Sequence, residues 1–121
     1  MMRLCALAEL ADPGAREFEW GDREWPAALF IVRSGAMVRG YLNRCPHLGH
    51  ELNLNQDEFL SSDRRRILCR SHGAQFELED GLCVAGPCLG AQLQTFAVKI
   101  IDGDVVASEA ELARIAAIAG R

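Results

Sequence analysis

The sequence predicts an all-β protein built from antiparallel strands, in a sandwich or small barrel, with one short helix at the C-terminal end. Two observations favour this fold class. Short segments of strand character recur along the chain, and turn signals that contain glycine separate many of them. The last segment changes to helical periodicity. Many short strands at close turn spacing are typical of antiparallel sandwiches and small barrels.

Nine segments are predicted to form strands. In chain order they are RLCALAEL (3–10), REFEW (16–20), ALFIVR (28–33), MVRGYLN (37–43), RRILCR (65–70), AQFEL (74–78), LCVA (82–85), TFAVKII (95–101) and DVVAS (104–108). Asp102-Gly103 between the last two predicts a tight hairpin, because two-residue loops of this kind need the positive φ that glycine supplies. The same reasoning, applied less strictly, predicts a hairpin around Gly35 and another around Gly81.

The final segment, SEAELARIAAIAGR, is predicted to form a helix over about residues 108–119. Ser108 is a candidate N-cap, Glu111 three residues later would complete a capping box, and Gly120 would end the helix. Four apolar side chains fall on one face at helical spacing: Leu112, Ile115, Ala116 and Ala119. We therefore expect this helix to pack on the sheet.

Length and composition exclude several classes of function. A chain of 121 residues is expected to form a single domain, residues 1–121. The formal net charge is −4, so the chain lacks the excess of basic residues that nucleic-acid binding requires. No run approaches the length of about 18 apolar residues that a membrane-spanning helix needs, and the N-terminal segment does not resemble a secretory signal. We expect a cytoplasmic protein with no membrane or nucleic-acid partner. In a reducing compartment, cysteines near histidines are more often metal-binding or catalytic than disulfide-bonded.

Two short motifs each combine a cysteine with a histidine. Cys45 precedes His47 by two positions, Cys69 precedes His72 by three, and 21 residues separate the two motifs. Each motif lies at the end of a predicted strand, so two facing loops can offer two thiolates and two imidazoles to one site. That ligand set suits a tetrahedral zinc site or a [2Fe–2S] centre with mixed ligation. The spacing favours the two-iron centre, because structural zinc fingers usually group the cysteines in one unit and the histidines in another.

The motifs CPHLG (45–49) and CRSHG (69–73) together resemble the two cluster-binding boxes of the Rieske [2Fe–2S] family. GPCLGAQL (86–93) is similar to the proline loop of that family, which covers the cluster from a third side. CALAEL near the start and VKIIDGDVVA near the end are similar to the small soluble bacterial Rieske-type ferredoxins, so the likeness runs over about residues 3–107. The resemblance implies a cluster-binding part at about 43–90, built from two hairpin-tip loops. It implies one [2Fe–2S] cluster per chain with four ligands: Cys45, His47, Cys69 and His72.

The resemblance also distinguishes the two histidines of the first box. The ligand in the family pattern is His47, which leaves His50 as a polar neighbour of the cluster. The quinol-oxidising branch of the family has a disulfide that joins the two boxes. Its cysteine positions hold His50 and Ser71 here, so that disulfide cannot form and the chain resembles the soluble carrier branch.

Further departures from the high-potential branch bear on the reduction potential. Ala74 and Phe76 stand where that branch has a serine and a tyrosine that donate hydrogen bonds to sulfur, so the resemblance implies a potential in the lower part of the family's range. Arg70 adds a positive charge, whose effect is expected to be smaller because its head should be exposed and screened. Gly86 and Pro87 open the proline loop and complete the expected cluster environment.

The function implied by the resemblance is one-electron transfer. The chain would carry electrons from an NAD(P)H-dependent reductase to a terminal oxygenase, often one that hydroxylates aromatic rings. It would have no catalytic residues and no small-molecule substrate of its own. Two alternatives stay open: a Rieske-like small subunit of an assimilatory nitrite reductase, although such subunits commonly lack the ligands, and a non-redox zinc-binding interaction domain. Three other cysteines are expected to be small buried hydrophobic residues: Cys5, Cys83 and Cys88. The sequence does not indicate a role for the extended loop 54–66.

Overall fold

The strands of the computed structural model, which describes residues 1–46 and 49–120, form three antiparallel sheets. The described elements are β1 (Met2–Ala6), β2 (Gly14–Trp20), β3 (Ala27–Ser34), β4 (Met37–Leu42), β5 (Arg66–Leu68), β6 (Gln75–Glu77), β7 (Cys83–Ala85), β8 (Thr95–Phe96), β9 (Lys99–Ile101), β10 (Asp104–Ala107) and the helix α1 (Glu109–Ala119). The strand orders are β1-β10-β9, β2-β3-β4-β8 and β5-β6-β7. The predicted fold class, antiparallel β-sheet with one C-terminal helix, is confirmed.

The three predicted hairpins are present. In the β9–β10 hairpin, Ile101 pairs with Asp104, and both turn residues have positive φ, 51° at Asp102 and 79° at Gly103. Glycines with φ of 63° and 74° occupy the β3–β4 and β6–β7 turns, at Gly35 and Gly81. Glycine adopts such angles at the lowest cost, so the turn chemistry determines where the chain reverses.

Two predicted strands differ from the sequence expectation by more than a residue or two at their ends. The segment 95–101 divides into β8, which pairs with β4, and β9, which pairs with β10. Between them the amide of Ala97 donates to the Glu111 carboxylate at 2.8 Å, so the chain leaves one sheet before it enters the other. The first strand stops at Ala6, because a single 3₁₀ turn follows at Leu7–Glu9.

The C-terminal helix has the predicted N-cap but not the full capping box. The Ser108 hydroxyl accepts a hydrogen bond from the amide of Glu111 at 3.0 Å. The Glu111 carboxylate does not return to Ser108, because Ala97 and Arg114 donate to it instead. Leu112 and Ile115 are fully buried on the predicted face, so the helix packs as expected. No helix among residues 1–46 and 49–120 is long and apolar enough to cross a membrane.

Strand β3 separates two hydrophobic cores. Its side chains alternate between the two faces of the sheet: Phe30 and Val32 lie in the first core, whereas Leu29 and Ile31 lie in the second. The first core extends to the β5-β6-β7 sheet and includes the candidate cluster cysteines, and the second extends to β1, β10 and α1. A continuous apolar run in β3 is therefore required, since neither face of the strand meets water.

The extended loop 54–66 covers the first core. Phe59 is fully buried and stacks on Phe30, with ring centroids 4.1 Å apart and ring planes 6° from parallel. The Asp57 carboxylate accepts from the amide of Glu17 in β2 at 2.8 Å, which holds the loop against the larger sheet. The sequence assigned this loop no role, and the structure shows that it contributes an aromatic side chain to the core beneath the site.

Candidate metal centre

The described residues of the two boxes make the same pattern of backbone hydrogen bonds. In loop 45–50, the first loop, the Cys45 amide donates to the carbonyl of His50 at 2.7 Å, and the Gly49 amide donates back to Cys45 at 2.8 Å. In loop 69–74, the second loop, the Cys69 amide donates to Ala74 at 2.8 Å, and Gly73 donates back to Cys69 at 3.0 Å. Both glycines have φ of 76°. Each box is therefore a closed turn that begins at its cysteine.

The two turns present their cysteines to the same apolar interior. Cys45 and Cys69 are 3% and 1% exposed, and both belong to the first core. The amide of Arg70 donates to the carbonyl of Leu52 at 2.8 Å and so ties the second loop to the chain that follows the first. His72 is exposed near the tip of the second loop. The predicted ligand His47 lies outside the described residues.

A buried asparagine supports the base of the first loop. Asn43 is 4% exposed, and its side-chain oxygen accepts from the amide of Leu52 at 2.8 Å. Its side-chain nitrogen donates to Asn53 at 2.9 Å, and Asn53 donates in turn to the Glu17 carboxylate. These bonds join both ends of loop 43–52 to strand β2. The sequence offered one signal for this role: a polar residue at the end of a predicted strand and two positions before Cys45.

Replacing Asn43 by alanine is expected to destabilise the fold by about 1–3 kcal/mol, because the amide of Leu52 then lies buried without an acceptor. Chemical denaturation of the variant measures this loss. Asn55→Ala is the matched control, since Asn55 is exposed and its side chain donates to the exposed Glu58. Equal stability of the two variants would show that the Asn43 network does not hold the first loop.

The proline loop, residues 86–93, approaches the second loop closely. Gly86 has φ of 97°, and a Cβ atom at this position would lie 2.7 Å from the Cα of Ala74. Backbone bonds close the base of the loop: the Cys83 amide donates to Ala91 at 2.8 Å, and the Gly90 amide donates to Cys83 at 3.0 Å. Pro87 is exposed. The proline loop therefore lies directly against the turn that begins at Cys69.

Two further cysteines lie beside the site, where the sequence indicated only buried hydrophobic residues. The Cys88 thiol donates to the Cys83 sulfur at 3.2 Å, and the Cys83 thiol donates to the carbonyl of Ala85 at 3.2 Å. Burial, followed by interactions with Cys83 and with Cys45, raises the pKa of the Cys88 thiol to about 12. The sequence could have indicated that Cys88 lies beside the site, because position 88 belongs to the proline loop.

Other predicted neighbours of the cluster are placed as follows. Ala74 and Phe76 are fully buried, and neither side chain carries a donor. His50 is exposed, and its carbonyl, not its ring, bonds to the first loop. The expectation of an exposed Arg70 head is wrong, because the side chain is half-buried. Its Nη2 donates to the carbonyl of Leu60 at 2.9 Å, and its Nε is buried without a hydrogen-bond partner in the described structure. Its guanidinium is turned toward loop 54–66 because a carbonyl is available there.

This arrangement fits the chemistry of a two-iron cluster. Two buried sulfurs can bind one iron away from water, and the exposed imidazole of His72, together with a second imidazole, can bind the other. The described residues contain no group of three His, Cys, Asp or Glu side chains placed to hold a single ion, but a [2Fe–2S] centre needs only two protein ligands at each iron. The closed turns and the close approach at Gly86 form the cradle for such a group.

Comparisons with known proteins agree with this geometry. The family model of the Rieske [2Fe-2S] domain matches residues 1–108. No curated protein matches the chain.

Solved structures share the fold over most of this chain. One chain of the complex of reduced oxygenase and oxidised ferredoxin in carbazole 1,9a-dioxygenase is 22% identical, with a TM-score of 0.69 over 87% of this chain and 98% of that one. The ferredoxin of carbazole 1,9a-dioxygenase from Nocardioides aromaticivorans IC177 is 20% identical, with a TM-score of 0.65 and 89% and 97% coverage. A ferredoxin from Sphingomonas yanoikuyae B1 is 27% identical, with a TM-score of 0.64 and the same coverage. From the family match, the chain belongs to the Rieske [2Fe–2S] domain family, whose cofactor is a [2Fe–2S] cluster.

Proposed function

We propose that this protein is a one-electron carrier that delivers electrons to a terminal oxygenase. The observation that carries the proposal is the pair of closed turns with matching backbone hydrogen bonds, which place two buried cysteines on one core and an exposed histidine near the tip of the second turn. A buried sulfur side and an exposed imidazole side suit a centre that must be protected from water and still be reached by a partner.

The proposed ligands are Cys45 and Cys69 on one iron and His47 and His72 on the other. When bound, the cluster supplies a reversible one-electron couple. The chain keeps the two sulfurs dry in the first core, and the proline loop excludes water from the side of the second loop. His72 lies at the surface, so electrons would enter and leave through the imidazole edge.

The proposed acceptor is a terminal oxygenase, and the proposed donor is an NAD(P)H-dependent reductase. Support for the acceptor comes from the similar chain in the complex of oxygenase and ferredoxin in carbazole 1,9a-dioxygenase; the reductase follows from the family resemblance. Transient redox encounters use small interfaces of low affinity, and the exposed surface around His72 and Pro87 suits such an encounter. We propose that the carrier works in the cytoplasm and has no substrate chemistry of its own.

An anaerobic spectroelectrochemical titration tests the carrier function. We expect one reversible one-electron couple per chain, with the visible spectrum fully restored after repeated cycles of reduction and oxidation. A small subunit without a cluster, or a zinc-binding domain, would show no such couple. Irreversible bleaching on the first reduction would also contradict the proposal, because a carrier must survive many cycles.

A further inference from the structure

The end of the C-terminal helix is bound by an arginine that lies beside the first loop. Arg44 directly precedes the proposed ligand Cys45. Its guanidinium donates to the carbonyl of Ile118 at 3.4 Å and also to the carbonyl of Ala119. The last turn of α1 contains no basic residue of its own. Because a positive charge stabilises the unpaired carbonyls at a helix C-terminus, Arg44 supplies the cation that α1 lacks.

Both partners of this contact are held in place. Arg44 is half-buried, and its amide donates to the carbonyl of Leu42 at 2.8 Å. The helix is held to β8, where Arg114 donates to the carbonyl of Thr95 at 2.7 Å. The guanidinium of Arg44 therefore has a fixed position relative to the first loop.

The positive charge of Arg44 is not neutralised by a neighbouring carboxylate. None of the ion pairs among residues 1–46 and 49–120 involves Arg44, and its two helix acceptors are uncharged carbonyls. The Cα atoms of Arg44 and Cys45 are about 3.8 Å apart, as across any trans peptide. At most one arginine side chain and one peptide unit therefore separate the guanidinium from the Cα of Cys45. That separation is comparable to the Debye length of about 8–10 Å, and a half-buried charge is screened less than an exposed one.

We propose that Arg44, positioned by the end of α1, stabilises the reduced cluster through its positive charge and so raises the reduction potential. The inference rests on the proposed function and on Cys45 as a ligand. Reduction adds one negative charge to the cluster, so a fixed cation nearby favours the reduced state. The family match ends at residue 108, so the helix that positions Arg44 lies beyond the matched domain. The C-terminal helix thereby contributes to the potential of the site.

The test is the reduction potential of Arg44→Met and Arg44→Gln, measured on protein of known iron content. Both replacements remove the charge, and the Gln amide can still donate to a helix carbonyl, which protects the fold. We expect the equilibrium constant for reduction to fall about twofold to fivefold, as the loss of a unit charge at roughly 10 Å would give; for a one-electron couple this is a decrease of roughly 20–40 mV. Arg44→Lys keeps the charge, so its potential should stay close to the wild-type value.

Arg114→Met is the matched control for the loss of an arginine that binds the helix to the sheet. It also removes one positive charge and one hydrogen bond from an arginine to a main-chain carbonyl. Arg114 is paired with the Glu111 carboxylate at 2.8 Å, however, and it lies at β8 rather than beside Cys45. Its replacement should therefore change the potential much less than Arg44→Met does. Thermal denaturation of both variants reports any general loss of stability.

Three results would overturn the inference. The first is a wild-type potential in iron-replete Arg44→Met or Arg44→Gln. The second is a decrease in Arg114→Met as large as that in Arg44→Met, because the effect would then not depend on the charge beside Cys45. The third is an Arg44→Gln protein that folds but holds no iron, since the role would then be cluster retention. A wild-type protein with no reversible couple would instead refute the proposed function, so the two failures are distinguishable.

Discussion

Cys69→Ala is expected to contain no iron and to show no visible absorption, even after cluster reconstitution. Cys69 is one of two proposed sulfur ligands of a single iron, and its 1% exposure leaves no room for an external thiol to replace it. Loss of one thiolate leaves that iron a single protein ligand, so the expected change is complete loss of the cluster. Cys45→Ala should behave in the same way, because Cys45 is also buried in the first core and begins a turn closed by the same backbone hydrogen bonds. Iron analysis and absorption spectra measure both effects.

Cys5→Ala is the matched control for this loss. Cys5 is as buried as Cys69, at 2% exposure, but it belongs to the second core, on strand β1. Its replacement removes a buried sulfur without removing a proposed ligand, so the iron content should stay at the wild-type level. Thermal denaturation of all three variants accounts for any general loss of stability. A Cys69→Ala protein with full iron would refute the proposed ligand set.

Gly86→Ala is expected to weaken the cover of the cluster on the side of the second loop. The new Cβ would lie 2.7 Å from the Cα of Ala74 and 3.1 Å from its nitrogen, and both are backbone atoms that cannot turn aside. The proline loop must therefore move away from the second loop. We expect faster loss of the visible absorption in the presence of an iron chelator, together with a decrease in stability. Overpacking contributes about 1–3 kcal/mol, and the positive φ contributes about 1–3 kcal/mol more.

Gly90→Ala separates these two contributions. Gly90 lies in the same loop with φ of 88°, close to the 97° of Gly86, but no atom lies within 4 Å of its would-be Cβ. The control variant therefore shares the backbone strain and lacks the clash. Cluster loss should be faster in Gly86→Ala than in Gly90→Ala. If the two variants lose the cluster at the same rate, the close approach of the proline loop does not protect the site.

The parts of the fold that depend on local chemistry could be predicted from the sequence. Asp102-Gly103 predicts its hairpin because the turn needs positive φ, and the structure shows that turn. Ser108 predicts the start of the helix because its hydroxyl can accept from an amide of the first turn. The Rieske family was recognised from the two boxes, and its model matches residues 1–108.

Features that depend on distant partners could not be predicted in this way. Glu111 fits a capping box by spacing, but the Ala97 amide lies 14 positions away in sequence and takes the carboxylate. Phe59 stands in a polar loop, and its stacking on Phe30 follows from the return of that loop to the first core. The contact between Cys88 and Cys83 depends on how the proline loop closes against β7. In each case tertiary structure brings the partner close. Local sequence propensity carries no information about such distant partners.

The measurement that tests the central claim most directly is electron paramagnetic resonance of the anaerobically purified, reduced protein, with iron and zinc assayed on the same sample. We predict two irons per chain and a Rieske-type signal with a low average g value, as expected when two imidazoles bind one iron of the cluster. One zinc per chain, no colour and no signal after attempted reconstitution would contradict the account, because the fold would then be kept without the capacity for electron transfer.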